Sequence, residues 1–498
     1  MDLFIVGFGV AFSPQNLLYC FLGVFLGTFI GVLPGVGALA AVSLLLPISF
    51  YLEPTTALVM LAGIYYGAEY GGSTASILLN LPGTASNAVT CLDGYPMAKQ
   101  GRAGVALFVT TIASFLGGSV GILLMSFLTP AIMAMAFSFG PAEYFAAMLF
   151  GLLAAATIAS GAPAKGLAMV VVGLIFGTVG MDINTGINRF TFGQLELFDG
   201  FSVAILAMGL FGVSEVIASI GITRHKIDAK AITLRSMIPT RDDVKRSVLP
   251  IIRGSAVGSF FGPLPATGPS ISAFLAYVLE KRVARRPERF GQGAVEGIAA
   301  PEAANNAAAQ TSFIPTMALG IPGSATMAIM LGAMMVHGVQ PGPRLIIDHP
   351  EVFWGLVASF WIGNLLLLVL NIPLIGIWVR ILQVPYRFLH PTIIVLICLG
   401  VYSINHSVFD VWLVLLFGLV GYFMKLLDFE PAPLLIGFIL GPMIEENFRR
   451  ALLLAHGDPL ELFFRPISGT LLVLAIGVLV WLVFSSFRSR WRANVSPE

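Results

Sequence analysis

Gly27-Thr-Phe-Ile-Gly31-Val-Leu33-Pro34-Gly35-Val-Gly37 interrupts an apolar run in the first half of the chain. A second copy, Gly258-Ser-Phe-Phe-Gly262-Pro-Leu264-Pro265-Ala266-Thr-Gly268, interrupts another in the second half, at an offset of 258 − 27 = 231. Six of the eleven positions are identical. Proline removes a backbone donor and clashes with the preceding turn, and glycine admits conformations outside the helical region. Non-helical backbone at membrane depth is tolerated only inside protein or beside water. Matching breaks in two halves therefore point to a transporter whose breaks lie near the substrate path. Taken singly, either break reads equally well as a structural kink.

The chain has 498 residues, 57% hydrophobic and 11% charged, with a mean hydropathy of +0.91. A soluble domain carries about a quarter charged residues, so this is an integral membrane protein. Its apolar stretches make about 10–12 membrane segments at about 20 residues per full span, the shorter ones being half-helices or re-entrant pieces. The predicted fold is an all-α polytopic protein of two related halves. Residues 1–222 form the first, 223–249 a polar linker, 250–485 the second, and 486–498 a basic tail.

Only four of the 27 Lys and Arg precede residue 223, namely Lys99, Arg102, Lys165 and Arg189. The basic clusters at Arg224–Arg253, Lys281–Arg289 and Arg488–Arg492 place the linker and the C-terminus on the cytoplasmic side. The second-half loop carries Lys281, Arg282, Arg285, Arg286 and Arg289, whereas its first-half counterpart at Glu53-Pro54 carries none. That asymmetry predicts inverted repeats; two parallel halves are the alternative. The start, Met1-Asp-Leu-Phe-Ile, has no basic region and does not read as a cleaved signal peptide. Cys20, Cys91 and Cys398 have no metal or disulfide spacing, and the six His make no ligand pair. No phosphate loop, His-Glu-x-x-His or nucleophile elbow occurs, so neither an ATPase nor another enzyme is expected. Nucleic acid is not an expected partner.

Two further landmarks follow each break. One is a small-residue segment with a carboxylate: Glu69 with Ser73 and Thr74, and Glu302 with Asn305, Asn306, Gln310 and Thr311. Glu302, Asn305 and Asn306 share one helix face. A carboxylate at membrane depth is costly and by default functional. Proton or Na⁺ coupling, a structural hydrogen-bond network and a salt bridge are the three readings of it, and the scarcity of basic residues there disfavours the last. The other landmark is Leu81-Pro82-Gly83-Thr84-Ala-Ser86-Asn87 and Ile321-Pro322-Gly323-Ser324-Ala-Thr326. These read as helix starts, capped by hydroxyls or cradling an anion. Freed carbonyls at Pro34–Gly37 and Pro265–Gly268, with Gly35, Gly37, Thr267 and Gly268, could hold Na⁺. Glu69 and Glu302 are paired as counterparts, with an offset of 302 − 69 = 233 growing through the block. Asp93–Arg102 reads as a surface turn.

These blocks resemble the TctA family, the large membrane subunit of tripartite tricarboxylate transporters. The residues carrying the resemblance are Gly31–Gly37, Leu61–Gly67 with Tyr70–Thr74, Leu81–Gly83, Thr90–Tyr95 with Gln100–Gly104, Ala300–Ala307 and Leu319–Ala325. Thr84 departs from the acidic residue that family members often carry there. The resemblance implies a secondary transporter of organic anions in a bacterial inner membrane, driven by Na⁺ or H⁺. It further implies a small membrane partner subunit (TctB-like) and a periplasmic substrate-binding protein (TctC-like). A membrane docking scaffold or an ion channel is the other class of function.

Overall fold

The computed structural model of the protein describes residues 2–157, 163–182, 184–220, 232–265, 267–382 and 386–495, with side chains throughout except at 2–4, 386–389 and 486–495. Residues 223–231 of the linker, Ala266 of the second break, and the side chains of the basic tail lie outside the described residues. The first half comprises α1 (Asp2–Ala11), α2 (Pro14–Val32), α3 (Gly37–Ser49), α4 (Pro54–Leu79), α5 (Thr90–Lys99) and α6 (Ala103–Ala136). It continues with α7 (Pro141–Ala156), α8 (Pro163–Gly177), and α9 (Val203–Ala207) joined by the π-turn Met208–Val213 to α10 (Ser214–Ala218). The second half comprises α11 (Arg241–Phe261), α12 (Gly268–Val283), α13 (Glu296–Thr311), α14 (Phe313–Leu319), α15 (Ala325–Val336) and α16 (Leu345–Asp348). Then come α17 (Pro350–Asn371), α18 (Ile375–Ile381), α19 (Tyr386–Asn405), α20 (Val408–Leu426), α21 (Pro431–Leu454), α22 (Glu461–Phe464) and α23 (Pro466–Val495). The strands among the described residues are the short hairpin Gly180–Met181 with Asn188–Arg189. Five described helices are long and apolar enough to cross a membrane, and six shorter apolar ones accompany them. The chain is an all-α polytopic membrane protein. Helix α11 begins at Arg241, inside the stretch read as linker.

Without a hydrophobic drive between helices in lipid, small residues let backbones approach closely. Here that happens twice, in one pattern. A Cβ on Gly23, Gly27 or Gly31 of α2 would lie 2.3, 2.3 or 2.2 Å from the carbonyl oxygen of Met60, Ile64 or Ala68 on α4. A Cβ on Gly254 or Gly258 of α11 would lie 2.2 or 2.1 Å from that of Ala300 or Ala304 on α13, and Gly262 abuts Ala308. The glycines repeat at 254 − 23 = 231, and the residues receiving them at 300 − 60 = 240. The end of α4 repeats at the larger offset as well. Asn80 (φ 58°) ends α4 and Gly320 (φ 67°) ends α14, both left-handed, and 320 − 80 = 240. The additional 240 − 231 = 9 residues therefore enter between Gly268 and Ala300, where α12 has 16 residues against the 13 of α3 and the basic loop follows.

This corrects the pairing of the two glutamates. At an offset of 240, Glu69 corresponds to Ala309 and Glu302 to Ala62. The offset changes between Gly268 and Ala300 and holds at 240 from there to Gly320, rather than growing along the block. Contact order also fixes direction: α2 ascends with α4, and α11 with α13. Helices α4 and α13 run antiparallel, since Ile77 and Ile298 both flank Gly94 while the Tyr65 and Phe313 rings lie 6.1 Å apart. Helix α6 lies along α13, with Gly117 and Gly121 against Ala303 and Ala307.

The stretch expected as a surface turn is α5, and Asp93 within it is fully buried. Its Oδ1 accepts from the amides of Gly291 (2.9 Å), Gly293 (2.8 Å) and Ala294 (2.7 Å), and its Oδ2 from Tyr277 Oη (3.0 Å). One carboxylate thus latches the first-half hairpin onto the second half. Hydrogen bonds to a charged group are worth about 1.5–3 kcal/mol each. Asp93→Ala is therefore expected to loosen the hairpin by roughly 3 kcal/mol, about a hundredfold. The check is the rate of thiol labelling at Cys91, half-buried on the same hairpin; an unchanged rate would show that the latch carries no load.

Candidate functional site

The two breaks of the first half close on each other. The Gly35 amide donates to Pro82 O (3.2 Å), that of Gly37 to Gly83 O (3.0 Å), and that of Gly83 to Gly72 O (3.4 Å). Gly35 (φ 85°) and Gly37 (φ 75°) need their positive φ to reach these partners. The second half lacks the equivalents at Gly268 and Gly323 among the described residues. There Thr267 turns its hydroxyl back to Phe261 O and to Leu264 O (2.8 Å), sealing the end of α11. The first-half bonds use the amides of Gly35 and Gly37, whereas the groups expected to hold Na⁺ are the carbonyls of Pro34–Gly37.

Both glutamates belong to one buried polar network despite their unrelated repeat positions. Glu302 is fully buried. Its Oε1 accepts from Thr90 Oγ1 (2.5 Å) and Asn87 Nδ2 (3.1 Å), and its Oε2 from Ser114 Oγ (3.2 Å). Glu69 Oε2 accepts from Thr84 Oγ1 (3.1 Å) and from Ser86 Oγ. Asn87 joins the two. Its Nδ2 donates to Ser73 Oγ (3.1 Å) as well as to Glu302, and its Oδ1 accepts from Thr84 Oγ1 (2.5 Å). The Thr84 hydroxyl has one proton for Glu69, Asn87 and Ser86 Oγ (2.6 Å), so the network has more than one arrangement of protons. A carboxamide does not relay a proton as a hydroxyl does, so Asn87 couples the two ends through geometry.

Among the described residues, neither Glu has a Lys, Arg or His within ion-pair distance. Unpaired buried charge is expensive, so these carboxylates call for a proton or a small cation. No described group of three His, Cys, Asp or Glu gathers into a metal site.

Beside the network, several buried polar atoms have no partner: both amide atoms of Asn305, Asn306 Oδ1, Gln310 Oε1 and Tyr65 Oη. Asn305 lies next to Glu69, and Tyr65 next to Glu69, Ser312 and Ser324, without closing hydrogen bonds of ordinary geometry. Buried polar groups are nearly always satisfied, so the orphaned atoms of Asn305 and Tyr65, where α4 and α13 cross, mark a place for a polar guest. Asn306 and Gln310 face the α6 side, as Glu302 does, and Asn306 Nδ2 donates to Glu302 O (3.1 Å). Ser324 Oγ accepts from the Met327 amide (3.3 Å) and caps α15 as expected. Thr84 makes no such cap, because its hydroxyl is used on Glu69 and Asn87.

The remaining expected residues are more peripheral. Thr74 is buried on α4 outside the network, Thr326 is buried on α15, and Thr311 bonds its own helix at Ala307 O (2.9 Å). Thr90, Ser114 and Tyr65 escaped the sequence reading. So did Asn364 on α17, which accepts from Tyr70 Oη (2.5 Å) and donates to Ser119 Oγ (3.1 Å).

A helical membrane chain with paired breaks folded over unpaired carboxylates has the build of a transport component. The chain belongs to the Tripartite tricarboxylate transporter TctA family, which it matches over residues 17–436. It is 47% identical over 486 residues, 97% of this chain and 96% of the relative, to an Agrobacterium vitis chain described as "Uncharacterized 52.8 kDa protein in TAR-I ttuC' 3'region". A second chain of that organism, "Uncharacterized protein in TAR-II ttuC' 3'region", is 47% identical over 233 residues, 47% of this chain and 96% of the relative. No solved structure matches.

Proposed function

We propose that this chain moves an organic carboxylate across a bacterial inner membrane, driven by a Na⁺ or H⁺ gradient. A periplasmic binding protein delivers the substrate, and a small membrane subunit completes the system. The observation that carries the reading is the joining of Glu69 and Glu302, from opposite halves, through Thr84 and Asn87, with no basic partner among the described residues. In this reading the first-half tip serves coupling, because the polar groups of Thr84, Ser86 and Asn87 are engaged with the two glutamates. The substrate carboxylate falls to the second-half tip at Pro322–Ser324 and Thr326, with the orphaned Asn305 and Tyr65 beside it. Thr84 in place of an acidic residue keeps a third negative charge out of this site.

The deciding assay is uptake by proteoliposomes holding all three subunits, across a panel of di- and tricarboxylates, under Na⁺ or pH gradients imposed one at a time. Saturable, gradient-driven uptake that needs the binding protein is expected. Ion currents without substrate, or unchanged uptake when this chain is omitted, would overturn the reading.

The antiparallel crossing of α4 and α13, with shared glycine registers, supports inverted repeats with the linker and C-terminus cytoplasmic. Single cysteines replacing Glu53 and Arg285 are expected to label from opposite faces of the membrane, with Arg285 cytoplasmic. Labelling of both from one face would sink the inversion.

A further inference from the structure

A cavity of about 600 Å³ opens on the face opposite the linker. Helix α6 fixes that side. It starts beside the linker, where Arg102 Nη2 meets Asp243 Oδ1 at 2.5 Å, and its end at Ala136 lines the cavity. The wall brings together Arg344, Arg450, His349, Asn447 and Asp348 with Tyr144. Exposed Arg344 has no ion-pair partner among the described residues. Among the described residues Arg450 is paired only with Glu446, one turn away at 2.5 Å, where both side chains are more than half exposed. Such exposed pairs are worth about 0–1 kcal/mol, so Arg450 is free to turn to another anion. Glu143, bonded to the lining residue Gly140, is already occupied by that residue's amide (2.8 Å) and by Arg465 (4.0 Å). The cavity therefore presents two available guanidiniums against one carboxylate, Asp348.

Its floor is the loop Gly338–Gly342, held at both ends. Val339 N donates to Met334 O (2.8 Å) on α15, and Gly342 N to Met317 O (2.8 Å) on α14. A Cβ on Gly320 would touch Pro341 at 3.3 Å, so the floor rests on the residue before Ile321–Ser324. One layer of chain separates the cavity from the second-half tip. Gly338 (φ 71°) and Gly342 (φ 137°) hold conformations that favour glycine at the two ends of that layer.

We propose that this cavity is a separate outer binding station for a di- or tricarboxylate, held by the Arg344 and Arg450 guanidiniums above the loop Gly338–Gly342 before it reaches Ser324. The substrate class rests on the transport reading above; the charge and depth of the cavity do not. Two guanidinium forks suit paired carboxylates. A positively charged concavity also raises the local concentration of anions.

The test is charge-selective thiol labelling of Gln340→Cys in the full chain, reconstituted in liposomes, with Cys20, Cys91 and Cys398 replaced by serine. An anionic and a cationic methanethiosulfonate are compared, each rate normalised to that with a free thiol. The anionic reagent is expected to react on the order of tenfold faster, and citrate to slow it. Arg344→Ala with Arg450→Ala is expected to bring the ratio near one and remove citrate protection. Arg344→Lys should keep the charge preference but lose most of the protection. Equal rates in the parent, or a preference unchanged in the double variant, would overturn the proposal.

Citrate uptake by the same liposomes, with binding protein and partner subunit supplied, separates the two readings. Uptake without charge preference removes the outer station alone. Preference and citrate protection without uptake leave the station standing and remove the transport reading.

Discussion

Glu302→Gln is expected to lower coupled uptake on the order of a hundredfold while the chain still folds. The carboxylate accepts three hydrogen bonds and donates none. The glutamine side chain has nearly the same shape. With its oxygen at the Oε1 position it keeps the bonds from Asn87 and Thr90, and its NH₂ meets Ser114, whose hydroxyl can rotate to accept. The packing therefore survives, and the loss falls on the group that exchanges with the coupling cation. A coupling free energy lowered by about 3 kcal/mol is about a hundredfold. Uptake and its ion dependence in proteoliposomes, alongside a thermal-unfolding curve, separate the two effects. Wild-type uptake with wild-type ion dependence would take Glu302 out of the coupling machinery, and the same result for Asn305→Ala would take Asn305 out of the site.

Gly27→Val and Gly258→Val should prevent recovery of a folded chain, and the corresponding alanine variants should lower its melting temperature. The added Cβ would sit 2.3 Å from Ile64 O or 2.1 Å from Ala304 O. Those neighbours are backbone atoms of a packed helix, so the helices themselves must separate. Overpacking costs about 1–3 kcal/mol, and more where backbone has to move. Gly9→Ala and Gly477→Ala are the controls, since nothing lies within 4 Å of a Cβ at either position. Alanine is a better helix former than glycine by about 1 kcal/mol, so the controls should be neutral or stabilised. Equal melting temperatures for Gly27→Ala, Gly258→Ala and the controls would mean that these contacts do not hold α2 to α4 or α11 to α13.

The membrane class, the two halves and the breaks were legible because each rests on composition or on a local backbone requirement. The register between the halves was not. Glu69 and Glu302 are alike in kind, and residue type alone cannot say where an insertion falls. The residues that the two glycine rows meet, Met60, Ile64 and Ala68 against Ala300, Ala304 and Ala308, carried that information. Thr90 and Ser114 were invisible for a different reason. Thr110, Thr111, Ser119 and Ser126 on α6 all bond carbonyls of their own helix. Nothing local marks Ser114 as the hydroxyl that reaches across to Glu302. Asp93 was misread because Gly94 and Pro96 beside it are turn formers. The amides that hold it lie about 200 residues away in sequence, beyond any local pattern.

The unequal closure of the two breaks has a further consequence. The first half joins Gly37 to Gly83 and Gly83 to Gly72, while Gly268 and Gly323 in the second half lack these bonds. Two copies of one motif thus rest in different states within a single molecule. Each copy is then a template for the other, and exchanging their bonding patterns describes a mirror conformer without any new contact type. Such an exchange leaves the number of backbone hydrogen bonds unchanged, since those given up in the first half are made again in the second. A duplicated chain of this kind carries the blueprint of its own alternative in the half that does not currently display it.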